Sequence, residues 1–374
     1  MEEKDDDSDE NKKSVWWFLN KSLQLHNAPV IDSLCMELGP RCPIDADIGK
    51  WVAKAVDLLV HKLNFKLLWS AEPTRLPKSL YSCQTLVDLT LSHQILVDVP
   101  LSACLPSLRE LDLDCVVYKN EDSLVRLFSS CPVLEILNVT RANDDNVKKF
   151  TVKVPSLWDL WYSNSLSGED DGYLVVDAPA MTTLHIFDVS GDSCSIEDMP
   201  FLEDANIDIE SYPDDKFLTS LSSVLAIRLF LSDTMVMRCG NINLSRLVKL
   251  RICPSRPDWL TPLVHLLGNA PQLKEFLVDS QYTYEPEDLS FSWNQPSPVP
   301  KCLPSELEIL EWRDYGDRVE EKEFLTYILA NSKRLKTVTI SLRSTIDLEE
   351  QKLIMEELKD IPRVSTASHL LFNW

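Results

Sequence analysis

The segment from Cys104 to Thr140, CLPSLRELDLDCVVYKNEDSLVRLFSSCPVLEILNVT, writes one pattern twice. Pro106 opens PSLRELDL, and Pro132 opens PVLEILNV 26 residues later. Each copy holds apolar residues at positions 1, 4 and 6 of a short window: Leu108, Leu111 and Leu113, then Leu134, Leu137 and Val139. A unit of this size cannot bury an apolar stripe alone. Stacked copies can bury it against one another.

The same window recurs along the chain. It begins at Ile31, Val60, Leu86, Leu108, Leu134, Leu157, Met181, Leu202, Val224, Leu247, Leu273, Leu307 and Leu335. Only the step from Leu273 to Leu307 falls outside the range of about 20–29 residues typical of leucine-rich repeats. Prolines at 29, 106, 132, 155, 179, 200, 271 and 304 precede many of the windows. Proline cannot continue a helix, so each marks where one segment stops and a strand begins. Between windows, DIGKWVAKAVDLLVHKL, EDSLVRLFSSC, DWLTPLVHLLGNA and EEKEFLTYILANSKRL carry apolar residues at helical spacing. The fold class expected is therefore α/β, an irregular leucine-rich-repeat solenoid. Its parallel sheet is expected on the concave side, with helices and loops on the convex side. NSLSGEDDGYLVV (164–176) and SQYTYEPEDLSFSWNQPSPVP (280–300) read as surface loops. Trp51, Trp69 and Trp312 sit on apolar periodicity and are expected in the core.

Side chains alternate along a strand, so positions 3, 5 and 7 of each window face away from the helices. This rule yields the candidate partner-binding residues Glu110, Asp112, Asp159, Trp161, His185, Phe187, Asp204, Arg228, Phe230, Lys249 and Arg251. The expected surface is acidic in its middle and basic towards the C-terminal end. Trp161 and Phe187 are its apolar anchors.

The residues argue against several other functions. With 59 acidic residues against 37 Lys and Arg, the net charge is -22, so no nucleic-acid partner is expected. No run of about 18 uncharged apolar residues exists, so no membrane partner is expected. Ten cysteines show no CxxC pair and read as reduced and structural, pointing to a cytoplasmic or nuclear location. Neither a P-loop, HExxH nor GxSxG occurs among the residues. Catalytic residues, cofactor and metal are thus expected to be none. Acidic clusters at Asp5–Asp7 and Glu169–Asp171 read as solvated tail and loop. The opening MEEKDDDSDE holds seven acidic residues in ten, so residues 1–14 read as a disordered tail.

Residues 299–342, VPKCLPSELEILEWRDYGDRVEEKEFLTYILANSKRLKTVTISL, and the later EELKDIPRVSTASHLLF resemble the FBD region of plant F-box/FBD/LRR-repeat proteins. FLNKSLQLHNAPVIDSLCMELG and LPKSLYSCQTLVDLTLS are similar to the repeat region of the same family. The resemblance divides the chain into the tail at 1–14, repeats at 15–292 and an FBD domain at 293–374. It implies a non-catalytic protein-binding module, like the substrate-recognition part of a cullin-type ubiquitin ligase. No F-box is recognisable before residue 15, so docking to the ligase adaptor is not expected. The protein ligand is unknown. Two other functions are an acidic repeat protein that binds basic proteins, and a hydrolase with a site assembled from loops.

Overall fold

The computed structural model describes residues 21–22, 29–39, 48–68, 72–141, 146–165, 172–188, 193–210, 215–231, 242–254, 259–282, 293 and 295–373. The chain divides into two compact units, Met1–Val147 and Lys148–Trp374. Both are α/β units built on parallel strands.

Within the first unit the strands are β1 (Ser33–Leu38), β2 (Lys62–Leu67), β3 (Thr74–Arg75), β4 (Asp88–His93), β5 (Ile95–Val97), β6 (Glu110–Asp114), β7 (Val117–Tyr118) and β8 (Ile136–Thr140). The helices are α1 (Ile48–Asp57) and α2 (Glu121–Ser129). Strands β1, β2, β4, β6 and β8 pair in that order, all parallel. Their register sets Cys35, Asn64, Thr90, Asp112 and Asn138 side by side in one row. The intervening residues Leu111, Leu113, Leu137 and Val139 are fully buried on the other face. Burying such a side chain is worth about 1.5–3 kcal/mol, so a register slip of one residue would forfeit the whole layer. α2 buries Leu124, Leu127 and Phe128. Its start is fixed by Asn120, whose side-chain oxygen accepts from the Ser123 N–H at 2.9 Å.

The second unit contains β9 (Lys149–Lys153), β10 (Asp159–Asn164), β11 (Tyr173–Asp177), β12 (Thr183–Asp188), β13 (Ser193–Ile196), β14 (Asp204–Ile209), β15 (Ala226–Leu231) and β16 (Lys249–Pro254). It continues with β17 (Glu275–Asp279), β18 (Ile309–Tyr315), β19 (Thr337–Leu342) and β20 (His369–Asn373). Its helices are α3 (Asp215–Ser220), α4 (Leu260–Asn269), α5 (Cys302–Ser305), α6 (Val319–Asn331) and α7 (Leu348–Asp360). Nine parallel strands run in the order β10, β12, β14, β15, β16, β17, β18, β19, β20. Here one row reads Trp161, His185, Asn206, Arg228, Arg251, Leu277, Glu311, Thr339 and Leu371.

The prolines do more than end helices. Pro106, Pro132, Pro155, Pro179, Pro200 and Pro271 each take the second position of a tight turn. In each, the N–H of the first window residue donates back three residues, as in Leu108 to Leu105 (3.3 Å), Leu134 to Cys131 (3.2 Å) and Met181 to Ala178 (3.0 Å). The same bond joins Leu157 to Val154, Leu202 to Met199 and Leu273 to Ala270. Proline presets the φ that this turn position requires.

All four helical segments expected from apolar spacing form helices, as α1, α2, α4 and α6. Two expectations need correction. The layer behind the main strands is not only helix and loop. β3, β5 and β7 form a second parallel sheet in the first unit, and β9, β11 and β13 form another in the second. Residues 173–176, the end of the expected 164–176 loop, belong to strand β11, with Leu174 and Val176 buried opposite Phe150 and Val152. These runs alternate with a period of two, but each is too short to stand out from loop. β20 is a further strand beyond the thirteen windows, because Ala367 occupies its first apolar position. Trp51 and Trp312 lie in the core, at 3% and 0% exposure. The acidic tail, both acidic clusters, Trp69 and most of the 280–300 segment lie outside the described residues.

α6 is seated by a buried carboxylate and an aromatic cluster. Glu321 accepts from the backbone N–H groups of Gly316 (3.1 Å) and Arg318 (3.3 Å), and burial pushes its pKa up to about 7. Phe324 stands edge-on to Trp259, Phe276, Trp293 and Trp312. Among the described residues no helix is long and apolar enough to cross a membrane.

The register makes a direct prediction for adjacent positions. Leu137 is fully buried, so Leu137→Ala is expected to cost about 2–5 kcal/mol in a denaturant melt. Glu135 forms a largely exposed pair with Arg109, and Glu135→Ala is expected to cost below about 1 kcal/mol. Equal losses would overturn the register.

A candidate protein-binding face

The candidate residues fall into two groups. Glu110 and Asp112 belong to the first unit. There the accessible face of β4 and β6 carries Asp88, Glu110, Asp112 and Asp114, with Lys62 pairing with Asp88 at 3.5 Å. Glu110 is exposed and Asp112 half-buried. Burial, then the negative charges of Asp114, Glu110 and Asp88, push the Asp112 carboxyl from 3.8 up to about 6. A raised folded-state pKa means the folded chain holds this proton more tightly than the unfolded chain. The resulting stability is complete below about pH 4 and is lost as pH rises through about 6. Asp112→Asn should therefore stabilise the protein by about 1 kcal/mol at pH 8, after solvent screening is allowed for. Melts at pH 8 and pH 4 check this, and the gain should vanish at pH 4.

The second unit brings the other nine candidates onto one face of its sheet. Asp159, His185, Phe187, Arg228 and Arg251 are half-buried, and Asp204 and Lys249 are exposed. Trp161 is 41% exposed. Its ring packs against His185 at 5.1 Å and Phe187 at 4.9 Å, tilted by 34° and 37°. Phe187 meets Phe230 edge-on at 6.5 Å. Phe230, expected among the partner-binding residues, is instead largely covered: only 8% of it is exposed, and the Arg228 guanidinium lies over its face at 4.7 Å. Burial, reinforced by Asp204 and opposed by His185, raises the Asp159 pKa. Burial and then Glu210 push Asp208 up to about 6, against the pull of Arg228.

The stretch expected to be basic carries its own counter-ions. Lys249 pairs with Glu275 at 2.9 Å, and Arg313 pairs with Glu311 at 2.6 Å. Arg251 grips Asp279, a carboxylate with no exposed side-chain surface, through Nε (3.1 Å) and a second guanidinium nitrogen. Arg228 donates from Nε to the buried Cys253 sulfur at 3.2 Å and stands 3.9 Å from Asp279. Burial raises the Cys253 pKa, so this thiol is held protonated. Over these strands lies a depression of about 330 Å³, floored by Ala226, Arg228, Arg251 and Leu277. His185 and Asp204 stand on one side of it, Glu275, Ile309 and Glu311 on the other. Glu275, Leu277, Ile309 and Glu311 were not among the expected site residues. The same alternation, applied to the windows at Leu273 and Leu307, places them there. Asp279 follows the rule too, but its burial cannot be read from spacing.

The covered face of this unit repeats one apolar pattern into its last strands, where Leu307, Leu310 and Trp312 are all buried. Known proteins share this arrangement at the sequence level. A family model described as FBD-associated F-box protein At5g56370, LRR repeats, matches residues 48–249, and an FBD model matches residues 295–340. The FBD-associated F-box protein At1g05080 of Arabidopsis thaliana is 67% identical, over 100% of this chain and 88% of the relative. The F-box/FBD/LRR-repeat proteins At1g22000 and At3g49480 of the same plant are 51% and 48% identical. Those matches cover 98% and 96% of this chain, and 81% and 84% of the relatives.

The chain belongs to the F-box/FBD/LRR-repeat family. In this family member the FBD match takes in α5, β18, α6 and most of β19. The FBD segment thus supplies strands to the same sheet as the repeats before it. Its helix α6 packs Phe324 against Phe276 of β17, which precedes the matched segment.

Proposed function

We propose that this protein is a non-catalytic protein-binding module, a leucine-rich-repeat solenoid with an FBD segment. On this reading it resembles the substrate-recognition part of a ubiquitin ligase, and docking of the chain itself to the ligase adaptor is not part of the reading. The observation that carries the reading is the ring cluster of Trp161, His185 and Phe187 on the accessible face of the second unit. A tryptophan 41% exposed and held rigid by two neighbouring rings suits a binding anchor. The charged residues beside it would orient a partner and speed its arrival.

The test compares the full chain with its Trp161→Ala variant as bait in plant extract, with captured proteins quantified by mass spectrometry. The specific partner should bind the variant at least about tenfold more weakly, while the melting temperature stays near that of the parent. Equal capture by both baits would remove the proposed face.

A further inference from the structure

Arg251 is built into its place more firmly than a surface arginine needs to be. Both of its bonds to Asp279 reach the same carboxylate oxygen, Oδ2, from one edge of the guanidinium. Asp279 itself is fully buried, and its Oδ1 accepts from the Gln281 N–H at 3.4 Å. A buried carboxylate loses its hydration, and that cost is offset here by locking one arginine. The locked side chain remains 30% exposed and lines the depression, and the guanidinium has N–H donors beyond the two that Asp279 takes. Lys249 stands two residues before it on the same strand, and Arg228 lies beside it on β15. The rim carboxylates Glu275 and Glu311 are engaged by Lys249 and Arg313. Asp204 lies on the β14 side, where it would repel an acid and push it towards Arg251.

Resting on the protein-binding reading above, we propose that this face recognises an acidic peptide segment of its partner. The segment's Asp or Glu side chain takes the exposed edge of Arg251, and an aromatic or large apolar residue lies on Trp161. Arg251 is the specificity-determining residue. Asp279 is a positioning residue that acts through it. A carboxylate fits because a guanidinium edge offers two parallel N–H donors at the spacing of its two oxygens. The sheet also fixes the separation of the two anchors. Trp161 lies on β10 and Arg251 on β16, four strand steps apart in the order β10, β12, β14, β15, β16. At about 4.8 Å per step they stand about 19 Å apart, which an extended peptide spans in about six residues.

The experiment selects phage-displayed random peptides of about twelve residues on the full chain, then measures synthetic copies by fluorescence anisotropy. Enriched peptides should hold an aromatic residue and an Asp or Glu about six positions apart. Replacing that acid in the peptide by Gln or Asn should weaken binding at least about tenfold, with no change to the protein. The double variant Arg251→Gln, Asp279→Asn removes both charges together and leaves no buried carboxylate unpaired. It should bind the acidic peptide as weakly as the parent binds the amide peptide, and it should no longer distinguish the two. Peptides that depend on Trp161 but show no preference for an acid overturn this inference and leave the binding face standing. Peptides indifferent to both Trp161 and the acid, or a selection that enriches nothing, overturn both.

Discussion

Parallel strand pairing without register drift is the constraint on which everything else here depends. Each main strand hands its N–H and C=O groups to the next, and the apolar positions of successive strands fall into continuous columns. The backbone ladder and the apolar layer support each other. A strand shifted by one residue would keep hydrogen-bond partners but turn its leucines outward. The tight turns ahead of the strands set this phase. The N–H of the first apolar residue is already committed to the turn, so the strand starts at one defined residue.

The accessible face inherits its order from this buried layer. The candidate residues described on it all lie on strands, not on loops. Trp161, His185 and Phe187 meet because they occupy neighbouring points on adjacent strands, and Arg228 and Arg251 for the same reason. Charge is then adjusted locally. Asp112 sits among carboxylates and is driven towards its protonated form, whereas Lys249 and Arg251 find acids one strand further on. The same strand pattern therefore carries an acidic strip in one unit and ion-paired strips in the other without any change of backbone.

Much of this was legible in the sequence because a leucine at a fixed spacing reports a strand position directly. Leu108, Leu111 and Leu113 mark β6 without any neighbour being known, and alternation then assigns Glu110 and Asp112 to the opposite face. What could not be read depends on contacts across strands. KFTVK and YLVVD are too short to be told from loop until they pair with each other. Phe230 satisfies the same alternation rule as Trp161, yet Arg228 covers it. The burial of Asp279 follows from its neighbours, not from its place in the window. Nothing in the spacing distinguishes it from Asp114, which stays partly exposed.

The rows also give the protein a coordinate system. Any point on the accessible face has an address made of a strand and one of three alternating positions. Neighbouring addresses lie about 4.8 Å apart across strands and about 7 Å apart along one. A side chain at one address is separated from its lateral neighbour by a whole repeat of sequence, so the two can be substituted independently and still touch. Gain or loss of one complete repeat would move every anchor beyond it by a single strand spacing while leaving the groups on either side intact. In such a surface the distance between two anchors is a count of repeats, and recognition can change in whole steps without redesign of the core.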